Sequence, residues 1–161
     1  MTIGEGAQAP FLIVGHGRSA WGQGELIDTY KTCRLKNHPY DEQRSLGQRT
    51  DIICTTNKNF EEKGIEFWLF GGDVSDRWIR YYKTFNPKKR TSTAIKPSTG
   101  VAAIFCAVDH GYSKIHIIGF DYVMNPGSER QGWPHDCAAE NRAIFALDVE
   151  ILETGDGRQA V

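Results

Sequence analysis

Short runs of apolar residues recur along the chain and stop at glycine or polar positions, which is typical of strands buried on both faces of a parallel sheet. The first run, Phe-Leu-Ile-Val at 11–14, ends at Gly15. Five later runs carry the aliphatic, β-branched and aromatic residues that strands favour. They predict further strands at 32–35, 51–55, 65–70, 115–120 and 149–154.

Helical patterns lie between these runs. The segments 25–30, 57–63 and 74–82 are predicted to be helical, and a final helix is predicted over 135–148. The clearest helix covers 98–111, because its apolar residues recur at i, i+3, i+4 and i+7 and form one stripe. Ser98 is expected as its N-cap and Gly111 as its C-cap. The stripe of this helix is Val101, Ile104, Phe105 and Val108, and that of the final helix is Ala139, Ala143, Ala146 and Leu147.

The alternation of strands and helices predicts an α/β fold. We expect a single Rossmann-like domain over residues 1–161, with a mostly parallel sheet and helices on both of its faces. Ligands of such sheets bind at the carboxyl ends of the strands. The candidate loops are therefore 15–19, 36–47 and 121–134.

Composition limits the class of protein. The 161 residues are 40% hydrophobic and 24% charged, which excludes a disordered chain. The net charge of −1 provides no overall basic field for nucleic acid. The longest apolar run, 101–108, is too short for a transmembrane segment, and the N-terminus lacks the basic region of a secretory signal. Four cysteines without a C-x-x-C pair favour reduced thiols in a cytoplasmic protein.

A glycine-rich turn follows the first strand. Gly15-His16-Gly17-Arg18-Ser19-Ala20 fits the G-x-G-x-x-A pattern, in which the backbone can approach a phosphate closely. A dinucleotide site would also need an acidic residue after the second strand, where Arg34 stands instead. This disfavours NAD and leaves NADP open. A tight strand-to-helix turn without a ligand is the other interpretation.

Two further places carry candidate chemistry. The start of the 98–111 helix, Ser98-Thr99-Gly100, offers free N–H groups and a positive dipole end to an anion, although Ser98 could serve only as a cap. His135 is expected to begin the final helix, where the dipole disfavours the imidazolium form and so suits a general base. A solvated histidine near the helix cap is the other interpretation. Glu140 lies about 140° further around a regular helix, so we do not expect it to orient His135. No spacing typical of metal ligands is present, so no metal is expected.

These segments together resemble the sialyltransferases, most closely the bacterial family 42 enzymes and more loosely family 29. The first motif corresponds to 13–19, and its continuation to 32–37 followed by 46–51. The strongest match runs from 98–101 through 111–121. Pro134-His135 lies where the family has its catalytic histidine, and His135 to Glu140 fits the H-x4-E pattern of family 29.

The resemblance implies a minimal variant of the GT-A-like sialyltransferase fold and an inverting transfer of sialic acid from CMP-sialic acid to a sugar hydroxyl, without a metal or other cofactor. His135 would accept the acceptor proton, and the helix start at 98–100 would steady the departing CMP phosphate. Asn37 would contact the nucleotide, Gly15 and Gly17 would lie beneath the donor, and Asp121 would lie beside the cytidine. Members of the family often form oligomers, so a homo-oligomer is also compatible.

Several positions differ from the family pattern. The asparagine of the first motif is His16, and the proline after it is Arg18. A second donor-binding asparagine corresponds to Thr56, with Asn57 adjacent. The tyrosine that steadies the leaving phosphate corresponds to Val123, with Tyr122 beside it.

The sequence therefore predicts a CMP-sugar-dependent glycosyltransferase whose partners are a CMP-sugar donor and a glycan acceptor, with no nucleic acid. Two alternatives use the same fold. One is a non-catalytic nucleotide-binding protein, which would bind CMP without turnover. The other is an NADP-binding protein, which the glycine turn and Arg34 would support.

Overall fold

The computed structural model describes residues 9–35, 45–56, 64–70, 72–86, 96–129 and 133–154. Six strands of this part of the chain form one sheet in the order β4-β3-β2-β1-β5-β6, and all neighbouring strands are parallel. The strands are β1 (Phe11–Val14), β2 (Lys31–Leu35), β3 (Ile52–Thr55), β4 (Glu66–Leu69), β5 (Lys114–Ile118) and β6 (Glu150–Glu153). The predicted α/β fold with a parallel sheet is confirmed.

The helices follow the expected alternation with changed boundaries. They are α1 (Gly24–Ile27), α2 (Gly72–Lys83), α3 (Thr99–Asp109), α4 (Asp121–Met124) and α5 (Cys137–Phe145), together with a 3₁₀ helix at Arg18–Ala20. The one-turn helix α4 and the 3₁₀ helix have no counterpart in the sequence prediction. The predicted helix at 57–63 lies outside the described residues.

The predicted end of β5 and the predicted start of the last helix are wrong for identifiable reasons. The strand predicted over 115–120 ends at Ile118, because Gly119 has a φ of +79° and leaves the extended conformation. The helix predicted from 135 begins only at Cys137, because the side chain of Asp136 accepts the N–H of Ala139 and caps it. His135 therefore precedes the helix instead of starting it.

The predicted apolar face of the last helix is only partly correct. Ala139 and Ala143 are fully buried. Ala146 is exposed, because α5 ends at Phe145 and Ala146 is its C-cap residue. Leu147 lies beyond the end of the helix and is half-buried against the main core cluster, so Ala146 is the one predicted position of this face that does not pack.

Helices cover both faces of the sheet. In β1, Ile13 faces the cluster that includes α3, whereas Leu12 and Val14 face Ala20 and Ile27 on the other side. This alternation explains the uninterrupted apolar run, since every side chain of the central strand is buried. Helix α3 packs across β1 to β4 and is the most deeply buried helix described. The four cysteines are buried free thiols.

Among the described residues, no helix has the length and apolar character needed to cross a membrane. The first and last few residues of the chain lie outside the described part. The single-domain assignment over 1–161 stays a prediction.

Candidate active site

A cavity of about 630 Å³ opens where the strand order reverses, between β1 and β5. At such a point the loops that follow the two neighbouring strands run in opposite directions and leave a crevice at the carboxyl ends of the strands. The loops after β1 and β5, the start of α3 and the residues before α5 line the cavity. Nine residues selected from the sequence meet here: Gly15, His16, Gly17, Ser98, Thr99, Gly100, Asp121, Tyr122 and His135.

The glycines of the turn after β1 allow it to contact the loop after β5. The N–H of Gly15 donates to the Ile118 carbonyl at 2.7 Å, and that of Gly17 donates to the Gly119 carbonyl at 2.8 Å. A Cβ on Gly15 would lie 2.5 Å from the Gly119 oxygen, and one on Gly17 would lie 2.7 Å from the same atom. Both N–H groups are thus engaged within the protein. The glycine pattern shapes the cavity floor through this backbone contact, and neither N–H is left to bind a phosphate.

Asp121 stabilises the same turn through hydrogen bonds to Ser19. One of its oxygens accepts the Ser19 N–H at 3.1 Å, and the other accepts the Ser19 hydroxyl. The Ser19 oxygen in turn accepts the N–H of Gly119 at 3.0 Å. The carboxylate lines the cavity while it holds the β1 and β5 loops together. Sequence reasoning placed Asp121 at the site but did not identify Ser19 as its partner.

The start of α3 has the features of an anion site. Ser98 occupies the N-cap position, and its side chain accepts no hydrogen bond from the first turn. The N–H groups of a first helical turn lack acceptors within the helix, and the dipole adds positive potential there. Gly100 is buried at this point, and a Cβ there would lie 2.8 Å from the ring of Phe120, so the close approach requires glycine. The expected side-chain cap is absent, and the helix start faces the cavity.

His135 lies at the end of a row of aromatic rings. The ring centroids of Tyr122 and Trp133 are 5.2 Å apart, and those of Trp133 and His135 are 5.9 Å apart, both with edge-to-face geometry. Burial lowers the pKa of His135 below its ordinary value of 6.5, and a weaker interaction with the backbone of Lys96 opposes this. The imidazole is therefore neutral at pH 7, as expected from the sequence. The cause is burial, since the helix begins only two residues later.

Glu140 is the residue that sequence reasoning missed as part of the site. It is fully buried in the cavity wall, and its Oε2 accepts the N–H of Ser98 at 2.7 Å. Its Oε1 and the Nδ1 of His135 are buried without a hydrogen-bond partner among the described residues. Burial raises the pKa of Glu140 to about 7, against the opposing effect of hydrogen bonding by the backbone N–H and the side chain of Ser98. The available signals were the H-x4-E spacing from His135 and a glutamate on the alanine face of the last helix.

Arg18 and Trp21 form one rim of the cavity and were also missed as site residues. The Arg18 guanidinium lies 5.5 Å from the centre of the Trp21 ring. Arg18 is exposed and is the one lysine or arginine among the described residues that line the cavity. It stands where the family pattern has proline, and this replacement was the available signal. The rim thus presents a positive charge to a ligand.

Three predicted donor residues are not part of the described cavity. Thr56 is exposed after β3 and does not line it. Asn37 and Asn57 lie outside the described residues. Among the residues that are described, no group of three histidine, cysteine or acidic side chains is arranged to hold a metal ion.

Arg34 does not have the position that an NADP site needs. It is 5% exposed, and its guanidinium donates to the Leu46 carbonyl at 2.9 Å, the Arg49 carbonyl at 3.0 Å and the Thr50 hydroxyl at 2.9 Å. It also lies 3.9 Å from Asp28. These contacts hold the loop after β2 in place and turn the guanidinium away from a 2′-phosphate.

No protein-family model and no curated protein sequence matches the chain significantly. Two solved structures share its fold. The sialyltransferase CST-II in complex with CMP matches with a TM-score of 0.56 and 13% identity, over 91% of this chain and 81% of that one. A mammalian sialyltransferase in complex with Gal-β-1,3-GalNAc-ortho-nitrophenol matches with a TM-score of 0.56 and 16% identity, over 92% of this chain and 70% of that one. The chain thus has the α/β fold found in these sialyltransferases, with its cavity at the reversal of strand order.

Proposed function

We propose that the protein is a sialyltransferase-like glycosyltransferase that transfers sialic acid, or a related acid sugar, from a CMP-activated donor to a glycan hydroxyl. The observation that carries this proposal is the meeting of His135 with the start of α3 in one cavity of about 630 Å³. A base and an anion site are the two groups that such a transfer needs, and the fold is shared with a CMP-bound sialyltransferase.

The proposed reaction is a single displacement. The acceptor hydroxyl oxygen attacks the anomeric carbon, and the bond from that carbon to the phosphate oxygen breaks with its electron pair going to CMP. His135 accepts the hydroxyl proton, because burial keeps its imidazole neutral. The start of α3 at Ser98-Thr99-Gly100 stabilises the charge that grows on the departing phosphate. Attack opposite the leaving group inverts the anomeric centre, and no step requires a metal.

Three other cavity residues would contact the donor. Asp121 and Tyr122 begin α4, shortly after β5, and line the cavity where the cytidine would bind. Arg18 at the rim supplies the positive charge that an acid sugar or a phosphate requires. A glycan acceptor, a homo-oligomeric assembly and a cytoplasmic location remain predictions from the sequence.

A non-catalytic nucleotide-binding protein is the second candidate. The position of the phosphate-steadying tyrosine is Val123, which is buried, and the first-motif asparagine is His16. These replacements favour loss of turnover with retention of binding. The NADP alternative loses its support, because Arg34 is fully engaged with the loop after β2.

Thermal unfolding with a panel of CMP, CMP-sialic acid, UMP, GMP, ADP and NADP tests the ligand class. A ligand at 100 times its Kd adds about 2.7 kcal/mol of stability, which corresponds to about 5–10 °C in Tm for a protein of this size. We expect shifts for the cytidine nucleotides only. A shift with NADP alone, or with none of the ligands, would remove the transferase proposal.

Substitution of the base separates the enzyme from the binding protein. His135→Ala should retain CMP binding and reduce transfer or donor hydrolysis by about 10²–10⁴-fold. His116→Ala is the matched control, because His116 is a half-buried histidine of β5 that contacts Thr154 outside the cavity lining. CMP binding in a wild-type protein without measurable turnover would favour the non-catalytic candidate. Equal turnover in wild type and His135→Ala would exclude His135 as the base.

A further inference from the structure

The carboxyl group of Glu140 stands directly behind the start of α3. It is fully buried, and its Oε2 accepts the N–H of Ser98, the N-cap residue of that helix, at 2.7 Å. Its Oε1 has no hydrogen-bond partner among the described residues. A buried carboxyl oxygen left unpaired is costly unless the group is neutral or gains a partner.

The groups that surround Glu140 supply no compensating positive charge. Asp136 is the N-cap of the same helix and Cys137 its first residue, Tyr82 comes from α2, Ser98 precedes α3, and His135 lines the same cavity. The Asp136 carboxylate raises the pKa of Glu140, and Glu140 in turn raises the pKa of Tyr82. Among the described residues no lysine or arginine forms an ion pair with Glu140. The start of α3 and the first turn of α5, in which Glu140 itself lies, are thus the sources of positive potential for this carboxyl.

An anion in the cavity would compete for the same helix terminus. The N–H groups of one first turn and their dipole amount to about half a positive charge. Ionised Glu140 already interacts with part of this positive potential from inside the protein. An anion bound from the cavity would therefore place a second negative charge close to a buried carboxylate. Like charges in low dielectric repel strongly, and the group that can lose its charge is the carboxyl.

We propose that binding of the anionic group of the donor at the start of α3 is coupled to proton uptake by Glu140, so that its carboxyl is neutral in the complex. The coupling rests on the proposed function, because it assumes a cytidine-phosphate ligand in this cavity. Glu140 is a positioning residue in this arrangement. It holds the Ser98 N–H through Oε2 in both protonation states and sets the affinity for an anion through its charge.

The coupling has a defined direction and size. Without a ligand, the pKa of Glu140 is about 7, and a bound anion would raise this pKa further. Affinity therefore rises as pH falls. If the carboxyl stays neutral in the complex, affinity at pH 6 exceeds that at pH 8 by about tenfold, and about half a proton is taken up per ligand at pH 7.

Calorimetric titration with cytidine 5′-methyl phosphate tests the coupling, because this phosphodiester keeps one negative charge from pH 6 to pH 8. Kd is measured across that range for wild type, Glu140→Gln and Glu25→Gln. In Glu140→Gln, the side-chain amide keeps an oxygen for the Ser98 N–H and cannot ionise. Glu25 is an exposed carboxylate of α1 and serves as the matched control. Proton uptake is measured from the binding enthalpy in buffers of different ionisation enthalpy.

We expect an approximately tenfold loss of affinity from pH 6 to pH 8 in wild type and in Glu25→Gln, and a nearly constant Kd in Glu140→Gln. The same pH dependence in wild type and Glu140→Gln would overturn the coupling and assign the proton to another group, such as His135, while the proposed function would stand. No binding at any pH would overturn the proposed function and the coupling with it. If Glu140→Gln does not fold, proton uptake at pH 7 is compared in the wild type and His135→Ala. Equal uptake in the two supports the inference, whereas zero uptake in the wild type, or uptake that is lost in His135→Ala, refutes it.

Discussion

Replacement of Glu140 by glutamine removes a charge that the fold keeps out of water. The carboxyl is fully buried, and one of its oxygens accepts the Ser98 N–H at 2.7 Å. Glutamine has nearly the same shape and keeps a carbonyl oxygen for that bond. The substitution therefore isolates the cost of ionising a buried carboxyl from the loss of a hydrogen bond or of packing.

The size of the effect follows from the pKa of Glu140 in the folded protein. Burial raises this pKa from 4.5 to about 7. Because the folded pKa is the higher one, protonation of Glu140 favours the folded state. The free energy of unfolding is therefore highest below about pH 4.5, and this contribution is lost as pH rises through about 7. Each pH unit between the unfolded and the folded pKa corresponds to about 1.36 kcal/mol. The free energy of unfolding therefore falls by about 3 kcal/mol at pH 8 and by less than about 1 kcal/mol at pH 5, relative to low pH.

We therefore expect Glu140→Gln to gain about 3 kcal/mol in stability over the wild type at pH 8, or about 6–12 °C in Tm, and to lose most of that advantage by pH 5. Urea unfolding at pH 5, 6, 7 and 8 measures the difference, with Glu25→Gln as the exposed control. An advantage that is absent at pH 8, or that is the same at pH 5 and pH 8, would show that Glu140 does not ionise at the cost inferred from its burial.

Other parts of the site support three further predictions. At saturating donor, the transfer rate should stay level from pH 8 down to the ordinary histidine pKa of 6.5 and fall only below it, because burial lowers the pKa of His135. A fall in rate centred above pH 6.5 would contradict this. Gly15→Ala should lower stability by about 1–3 kcal/mol in thermal unfolding, because its Cβ would lie 2.5 Å from the Gly119 carbonyl oxygen. Thr56→Ala, at an exposed position, is the control and should change stability little. Equal Tm values for the two variants would show that the loops after β1 and β5 can separate without cost. Arg34→Lys should cost about 1–3 kcal/mol in urea unfolding, because an ammonium cannot reach all three acceptors of the guanidinium, and unchanged stability would mean that those contacts are dispensable.

The local pattern of the sequence determined the central parts of the fold. The apolar run of β1 predicted a strand buried on both faces, and the spacing of apolar residues in 98–111 predicted α3, because burial imposes the period of each element on its own residues. The glycine turn, the start of α3 and His135 were also recognisable from the sequence. Each follows a strand or begins a helix, and a parallel sheet brings such positions to one edge.

The tertiary structure alone decided how these residues are used. Glu140 meets Ser98 across 42 positions of sequence, and Asp121 meets Ser19 across 102. Such contacts depend on which strands are neighbours and on how far each helix extends, and local periodicity carries neither piece of information. The same reason explains why Gly15 is needed to contact Gly119, why Arg34 is engaged with its own loop, and why Thr56 lies away from the cavity. Sequence periodicity fixes what is buried within an element, whereas the order of strands in the sheet determines which distant side chains share the cavity.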